Sequence, residues 1–142
     1  MVKKQLSVAG VKMLQVSGYW LIAMSVLHVL VGGWIFAEPL MQIIRNGWFN
    51  TVAPNPFAPF YDREDAFWFL MLTPFLVSIG QLCFWSHANK IALPKFLGWM
   101  LLLTAIVGAS LEPISACWLL IPPALLMLMA GNSKPITEES QV

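Results

Sequence analysis

With 142 residues, 58% of them apolar and only 11% charged, and a mean hydropathy of +0.73, the chain is too oily for an ordinary soluble domain, in which about a quarter of residues are charged. A formal charge of +1 leaves no basic face broad enough for nucleic acid, so nucleic-acid binding is excluded. The length suits one domain, expected over 1–132 as an all-α membrane protein: a four-transmembrane-helix bundle with a short interfacial helix in its first outer loop.

Residues 1–12 carry Lys3, Lys4 and Lys12 and no acid, as expected of a cytoplasmic flank. Leu14 to Phe36 follows with 23 residues free of Lys, Arg, Asp and Glu. A helix of that length reaches about 34 Å, enough to cross a hydrocarbon core of about 30 Å with modest tilt. No small-x-small cleavage site follows it, so it reads as an uncleaved anchor. Gly18, Ser25, His28 and Gly32 share one narrow face, which should look into a bundle, where small residues let backbones approach.

The segment 38–65 is the longest polar connection. Pro39, an apolar set at Leu40, Met41, Ile43 and Ile44, and a stop at Asn46-Gly47 predict the short interfacial helix. Trp48, Phe49, Phe57, Phe60 and Tyr61 are expected at headgroup level, with Pro54, Pro56 and Pro59 keeping the backbone extended. Asp62, Glu64 and Asp65 suit the start of the second span, 66–85, by complementing its dipole. Thr73-Pro74, Ser78 and Gln81 lie along one face of it, and Pro74 should kink it.

A polar turn is expected over 86–95, holding His87, Asn89, Lys90 and Lys95. The apolar run 96–131 is 36 residues long, too many for one span, and Glu112-Pro113 divides it into spans at 96–111 and 114–131. Pro122-Pro123 should bend the last span, and 133–142 reads as a disordered cytoplasmic tail.

With both termini in the cytosol, Lys3, Lys4, Lys12, Lys90, Lys95 and Lys134 lie inside and only Arg45 and Arg63 outside, which fits the positive-inside bias of a multi-pass protein of the inner (plasma) membrane. Cys83 and Cys117 then fall near opposite surfaces and should stay unpaired. His28 and His87 are separated in the same way, which disfavours a bis-histidine haem; no cofactor and no metal site is expected.

That topology gathers His28, Arg45, Arg63, Asp65, Trp68, Glu112 and Trp118 toward the outer half as candidate ligand-binding residues. An ionisable group within a span carries a penalty of roughly 2.5 to 3.5 kcal/mol on insertion scales and usually faces a cavity or a partner. Glu112 or Asp65 are the obvious partners of His28, which makes His28 and Glu112 the candidate catalytic pair. The alternative is a neutral His28 that donates to a backbone carbonyl or a Ser hydroxyl and locks helix packing.

The succession of Gly18, His28 with Gly32-Gly33, Glu38-Pro39-Leu40, the run from Arg45 to Asn50, Ala66-Phe67-Trp68-Phe69, the run from Leu93 to Trp99, and Trp118 through Pro122-Pro123 resembles an uncharacterised family of small bacterial four-helix integral membrane proteins, defined by a domain of unknown function. The resemblance covers about 14–130 and implies the fold without implying an activity. In architecture alone the chain is also similar to emopamil-binding-like and DoxX-like four-helix membrane proteins, and such likeness carries no function.

Three functions follow as expectations. One is binding of a lipophilic small molecule or a partner helix in an outward-facing cavity. The second is a membrane-embedded enzyme using His28 and Glu112 for acid–base chemistry on a lipid-soluble substrate. The third is a small transporter or membrane-complex subunit, which would have to oligomerise to enclose a pathway. The partners expected are the lipid bilayer, a lipophilic molecule, and further copies or a membrane partner.

Overall fold

The computed structural model describes residues 6–132, so the tail at 133–142 and Lys3, Lys4 and Lys134 of the charge count lie outside the described residues. Among the described residues the chain is helical, with no β-strand: α1 (Val8–Ile35), α2 (Ala37–Arg45), α3 (Tyr61–Asn89), α4 (Lys95–Leu111), a 3₁₀ stretch (Ala116–Leu120) and α5 (Ile121–Asn132). α1, with 28 residues, and α3, with 29, are long and apolar enough to cross a membrane. α4 and the run Ala116–Asn132 are shorter apolar helices.

The helices overrun the expected spans because nothing stops them sooner. α1 starts six residues before Leu14, where the Ser7 hydroxyl accepts from the Gly10 amide at 3.1 Å and caps a free N–H of the first turn. α3 takes in Asp62 and Glu64 in its first turn and runs on to Asn89. Residues 86–89 of the turn expected over 86–95 are therefore helical. The helix ends where Lys90 adopts a left-handed φ of 54°, with Ser86 bonding back to Ile91 through its hydroxyl and its carbonyl. Pro122 and Pro123 open α5 instead of bending it, since the first turn of a helix has no use for their missing amides.

The chain forms two compact units, one from Met1–Ile22 with Ser78–Val142 and the other from Ala23–Val77. In the first, small and hydroxylated residues set the packing. The Ser17 hydroxyl is bonded to the Met13 carbonyl at 3.0 Å and reaches the Pro123 carbonyl at 3.4 Å. Trp20 Nε1 donates to the Leu119 carbonyl at 2.8 Å, and His87 Nδ1 to the Val11 carbonyl at 3.0 Å. A Cβ on Gly98 would stand 2.8 Å from Leu128 Cγ, so α4 meets α5 closely only because the side chain is missing.

The second unit holds the C-terminal part of α1, all of α2, the connector and the first half of α3. α2 ends as its sequence predicts. Asn46 caps it, Gly47 takes a φ of 87°, the Gly47 amide bonds the Ile44 carbonyl and the Trp48 amide bonds the Ile43 carbonyl, each at 3.1 Å. These paired bonds satisfy the last free carbonyls of the helix.

Candidate functional site

Arg63 organises the second unit. It sits in the first turn of α3, half-buried, and its guanidinium lies 4.3 Å above the ring of Phe60. Nε and Nη2 donate to Gln42 Oε1 on α2 at 3.2 and 3.1 Å, and Nη1 donates to the Thr51 carbonyl in the connector at 2.9 Å. Gln42 in turn donates to Glu38 Oε1 at 3.3 Å, one turn earlier in α2. Thr51, itself buried, donates its hydroxyl to the Trp48 carbonyl at 3.0 Å. One planar cation thereby fixes two otherwise independent segments to the start of α3, a task for which a forked donor is suited and a single ammonium is not.

The same unit holds an apolar groove of about 490 Å³ lined by Leu40, Ile43, Ile44, Trp48, Val52, Phe67, Leu70 and Met71. Its volume falls within the range of small-molecule sites, roughly 300 to 1,000 Å³, and its walls are aliphatic and aromatic as in such sites. Trp48, 70% exposed, holds a φ of 68°, a conformation uncommon for a bulky side chain. The bond from Thr51 and the end of α2 keep it there.

His28 occupies a second place in the same unit. Its ring stacks on Phe69 at 3.9 Å and 9°, and Nε2 lies 2.8 Å from the Phe69 carbonyl, which can only accept, so Nε2 carries the proton. One turn on, a Cβ at Gly32 would fall 2.8 Å from Phe69 Cδ1, so the glycine admits the aromatic ring. The bond has a consequence for Thr73. Elsewhere in this chain helical hydroxyls bond the carbonyl four residues back, as Ser17 does with Met13, Thr104 with Met100 and Ser110 with Ile106. The corresponding carbonyl for Thr73 is that of Phe69, which His28 takes, and the buried Thr73 hydroxyl has no partner among the described residues.

Each of the other predicted residues has its own local setting. Asp65 and Trp68 are exposed on α3, and neither lines the groove. Arg45 is exposed in the last turn of α2. Glu112 caps α4 at its C-terminal end through its amide, bonded to the Gly108 carbonyl at 2.9 Å, and its side chain is exposed. Trp118 Nε1 donates to the Pro113 carbonyl at 2.9 Å. Cys83 is buried and Cys117 half-buried, both as free thiols. No group of three or more His, Cys, Asp or Glu able to hold a metal occurs among the described residues. Of the residues in the Arg63 network and the groove walls, sequence reasoning did not name Gln42, Thr51, Phe67 or Met71 as site residues. Only Gln42 gave a signal, standing four residues after Glu38 beside the apolar stripe of α2.

Fold and site together define an all-helical protein with two helices able to cross a membrane and an apolar groove between an amphipathic helix and the start of the second long helix. Its sequence places it more closely. The family of unknown function DUF6463 matches residues 12–134, and the chain belongs to that family. No curated protein and no solved structure matches it.

Proposed function

We propose that this is a multi-pass protein of the inner membrane, crossing it four times with both ends in the cytosol, and that it binds a lipophilic small molecule in the groove between α2 and the start of α3. The groove carries the proposal: it is apolar and of ligand size, and the segments that line it are tied together by the bonds from Arg63 to Gln42 and Thr51. Membrane residence is supported by where the large side chains lie. Only 28% of the most apolar stretch of α1 and 17% of that of α3 is buried in the protein, whereas a helix this oily in a soluble core would be mostly covered. The two shorter helices reach about 25 Å in α4 and about 28 Å in the 3₁₀ stretch with α5, short of a typical hydrocarbon core by an amount that local thinning accommodates.

Acid–base catalysis by His28 and Glu112 draws less support, because the bond to the Phe69 carbonyl and the stack on the Phe69 ring give His28 a packing role of its own. The test is native mass spectrometry of the protein released from mild uncharged detergent, with Met71→Trp as the comparison. Met71 lines the groove and is 36% exposed, so indole there fills the space without entering a packed core. A retained lipophile in the parent and its loss in Met71→Trp, with both melting alike, is the expected result. An empty parent protein would end the proposal.

A further inference from the structure

A crevice of about 320 Å³ runs between the two long helices, lined by Ser25, Val26, Val29 and Leu30 of α1 and by Thr73 and Val77 of α3, all within the second unit. It shares no residue with the groove, and no charged side chain lines it. Its wall holds a donor without an acceptor: the Thr73 hydroxyl is buried and has no partner among the described residues, whereas Ser25, 2% exposed, has a partner of its own. From this we infer that the crevice is a second ligand site, for a slender uncharged lipophile whose carbonyl oxygen accepts a hydrogen bond from Thr73. The inference rests on the membrane residence proposed above and is independent of the groove.

The demand for an acceptor follows from the local bonding. The carbonyl four residues back from Thr73, which serves hydroxyls elsewhere in the chain, is engaged by His28. Thr73 as a residue is half-buried although its oxygen is covered, so the part of the side chain that reaches the crevice is carbon. A helical threonine has two open χ1 rotamers, and passing from one to the other exchanges methyl and hydroxyl, which lets the same wall present the donor to an occupant. Water does not fit, because a buried water takes two to four polar partners and this wall supplies one. A phospholipid tail fills the space and leaves the donor unmatched. Thr73 lies seven residues into the apolar stretch that begins at Ala66, about 10 Å inside the hydrocarbon core, while the ester oxygens of a phospholipid stay at its edge. The occupant must therefore carry its oxygen into the core, as a ketone with apolar arms on both sides does.

The test places the full chain in phosphatidylcholine nanodiscs and titrates it with dipentyl ketone, isotope-labelled at the carbonyl carbon so that its infrared band stands apart from the lipid esters. The parent is expected to give a saturable band, shifted to lower frequency by the hydrogen bond and absent from nanodiscs without protein. Thr73→Val, which removes only the hydroxyl, should abolish that band and melt no lower than the parent, since a hydroxyl without a partner contributes nothing to the fold. Thr73→Ser should retain the band. Val29→Trp, at an exposed position of the wall, should abolish it by filling the crevice, and Met71→Trp, which fills the groove instead, should leave it intact. No shifted band in the parent, or one that survives Thr73→Val or Val29→Trp, overturns the site. Loss of the band in Met71→Trp would move the ketone to the groove, and a lower melting temperature for Thr73→Val would show that the hydroxyl has a partner inside the protein; either overturns it as well.

Discussion

Replacing Arg63 by Ala removes the clamp that holds α2 and the connector to α3. Three hydrogen bonds go, two to Gln42 Oε1 and one to the Thr51 carbonyl, together with the guanidinium stacked on Phe60. At about 1 kcal/mol net for each hydrogen bond and about 0.5 kcal/mol for a partly exposed cation–π contact, the loss is roughly 3 kcal/mol. In a chain of this size that lowers the melting temperature by roughly 6 to 12 °C, read by tryptophan fluorescence in mild detergent. Arg63→Lys keeps the charge and one donor direction, so it recovers only about a third. Because two of the three bonds meet on one oxygen, Gln42→Ala should couple to Arg63→Ala by about 1 kcal/mol in a double-mutant cycle. A lysine variant as stable as the parent, or strictly additive single changes, would refute the clamp.

Two further substitutions probe the helix contacts. Gly98→Ala places a methyl group 2.8 Å from Leu128 Cγ and 3.3 Å from the Ala124 carbonyl, and should destabilise by about 1 to 3 kcal/mol, less when combined with Leu128→Ala. Gly33→Ala meets nothing within 4 Å and should stabilise α1 by about 0.5 to 1 kcal/mol, so melting shifts of the same sign for the two glycines would contradict the packing described. His28→Phe preserves a ring against Phe69 but frees its carbonyl for the Thr73 hydroxyl. The loss, about 1 kcal/mol for the hydrogen bond, should therefore be larger in a Thr73→Val background than in the parent.

What could be read from the sequence follows how locally each feature is determined. The end of α2 at Asn46-Gly47 depends on neighbours within six residues, and the chain spells it out; the long helices follow from apolar runs without a breaker. The extension of α1 back to Val8 was hidden because Lys12 looks like a border, although a single lysine on a helix surface ends nothing. The site was less legible. Charge led toward His28 and Glu112, with a neutral His28 donating to a backbone carbonyl as the alternative; His28 does donate to one, on a different helix, although no sequence pattern shows which carbonyl will stand opposite a ring forty residues away. His28 belongs to one unit and Glu112 to the other, each with its own local partners. Arg63 stood out among the candidates as a charge, whereas its role is geometric: the chain order hides that Gln42, Thr51 and Phe60 converge on it.

The inversion of large and small residues bears on α4 most directly. The largest wholly buried side chains are Leu14, Leu21, Pro123, Cys83, Ser17 and Ser86, and alanines at 66, 105 and 124 are fully covered, while Leu30, Phe75, Trp99 and Leu103 stay exposed. In water this arrangement forgoes about 1.5 to 3 kcal/mol for each large side chain left out of the core. Among lipid tails nothing is forgone, since a leucine is as well placed against an acyl chain as against protein, and close approach through small residues decides the packing. Leu103 lies at the midpoint of α4 and is 53% exposed, so Leu103→Lys distinguishes a span from a helix lying on a surface. If α4 crosses the bilayer, a lysine at its centre adds roughly 3 kcal/mol to insertion, and with only 17 residues the helix has little length over which to shift. A cysteine at Asn89 and another at Ile114 should then change from labelling on opposite sides of the membrane to labelling on the same side. Labelling of both cysteines on the same side already in the parent, unchanged by Leu103→Lys and with full stability, would place α4 outside the hydrocarbon core and remove two of the four crossings.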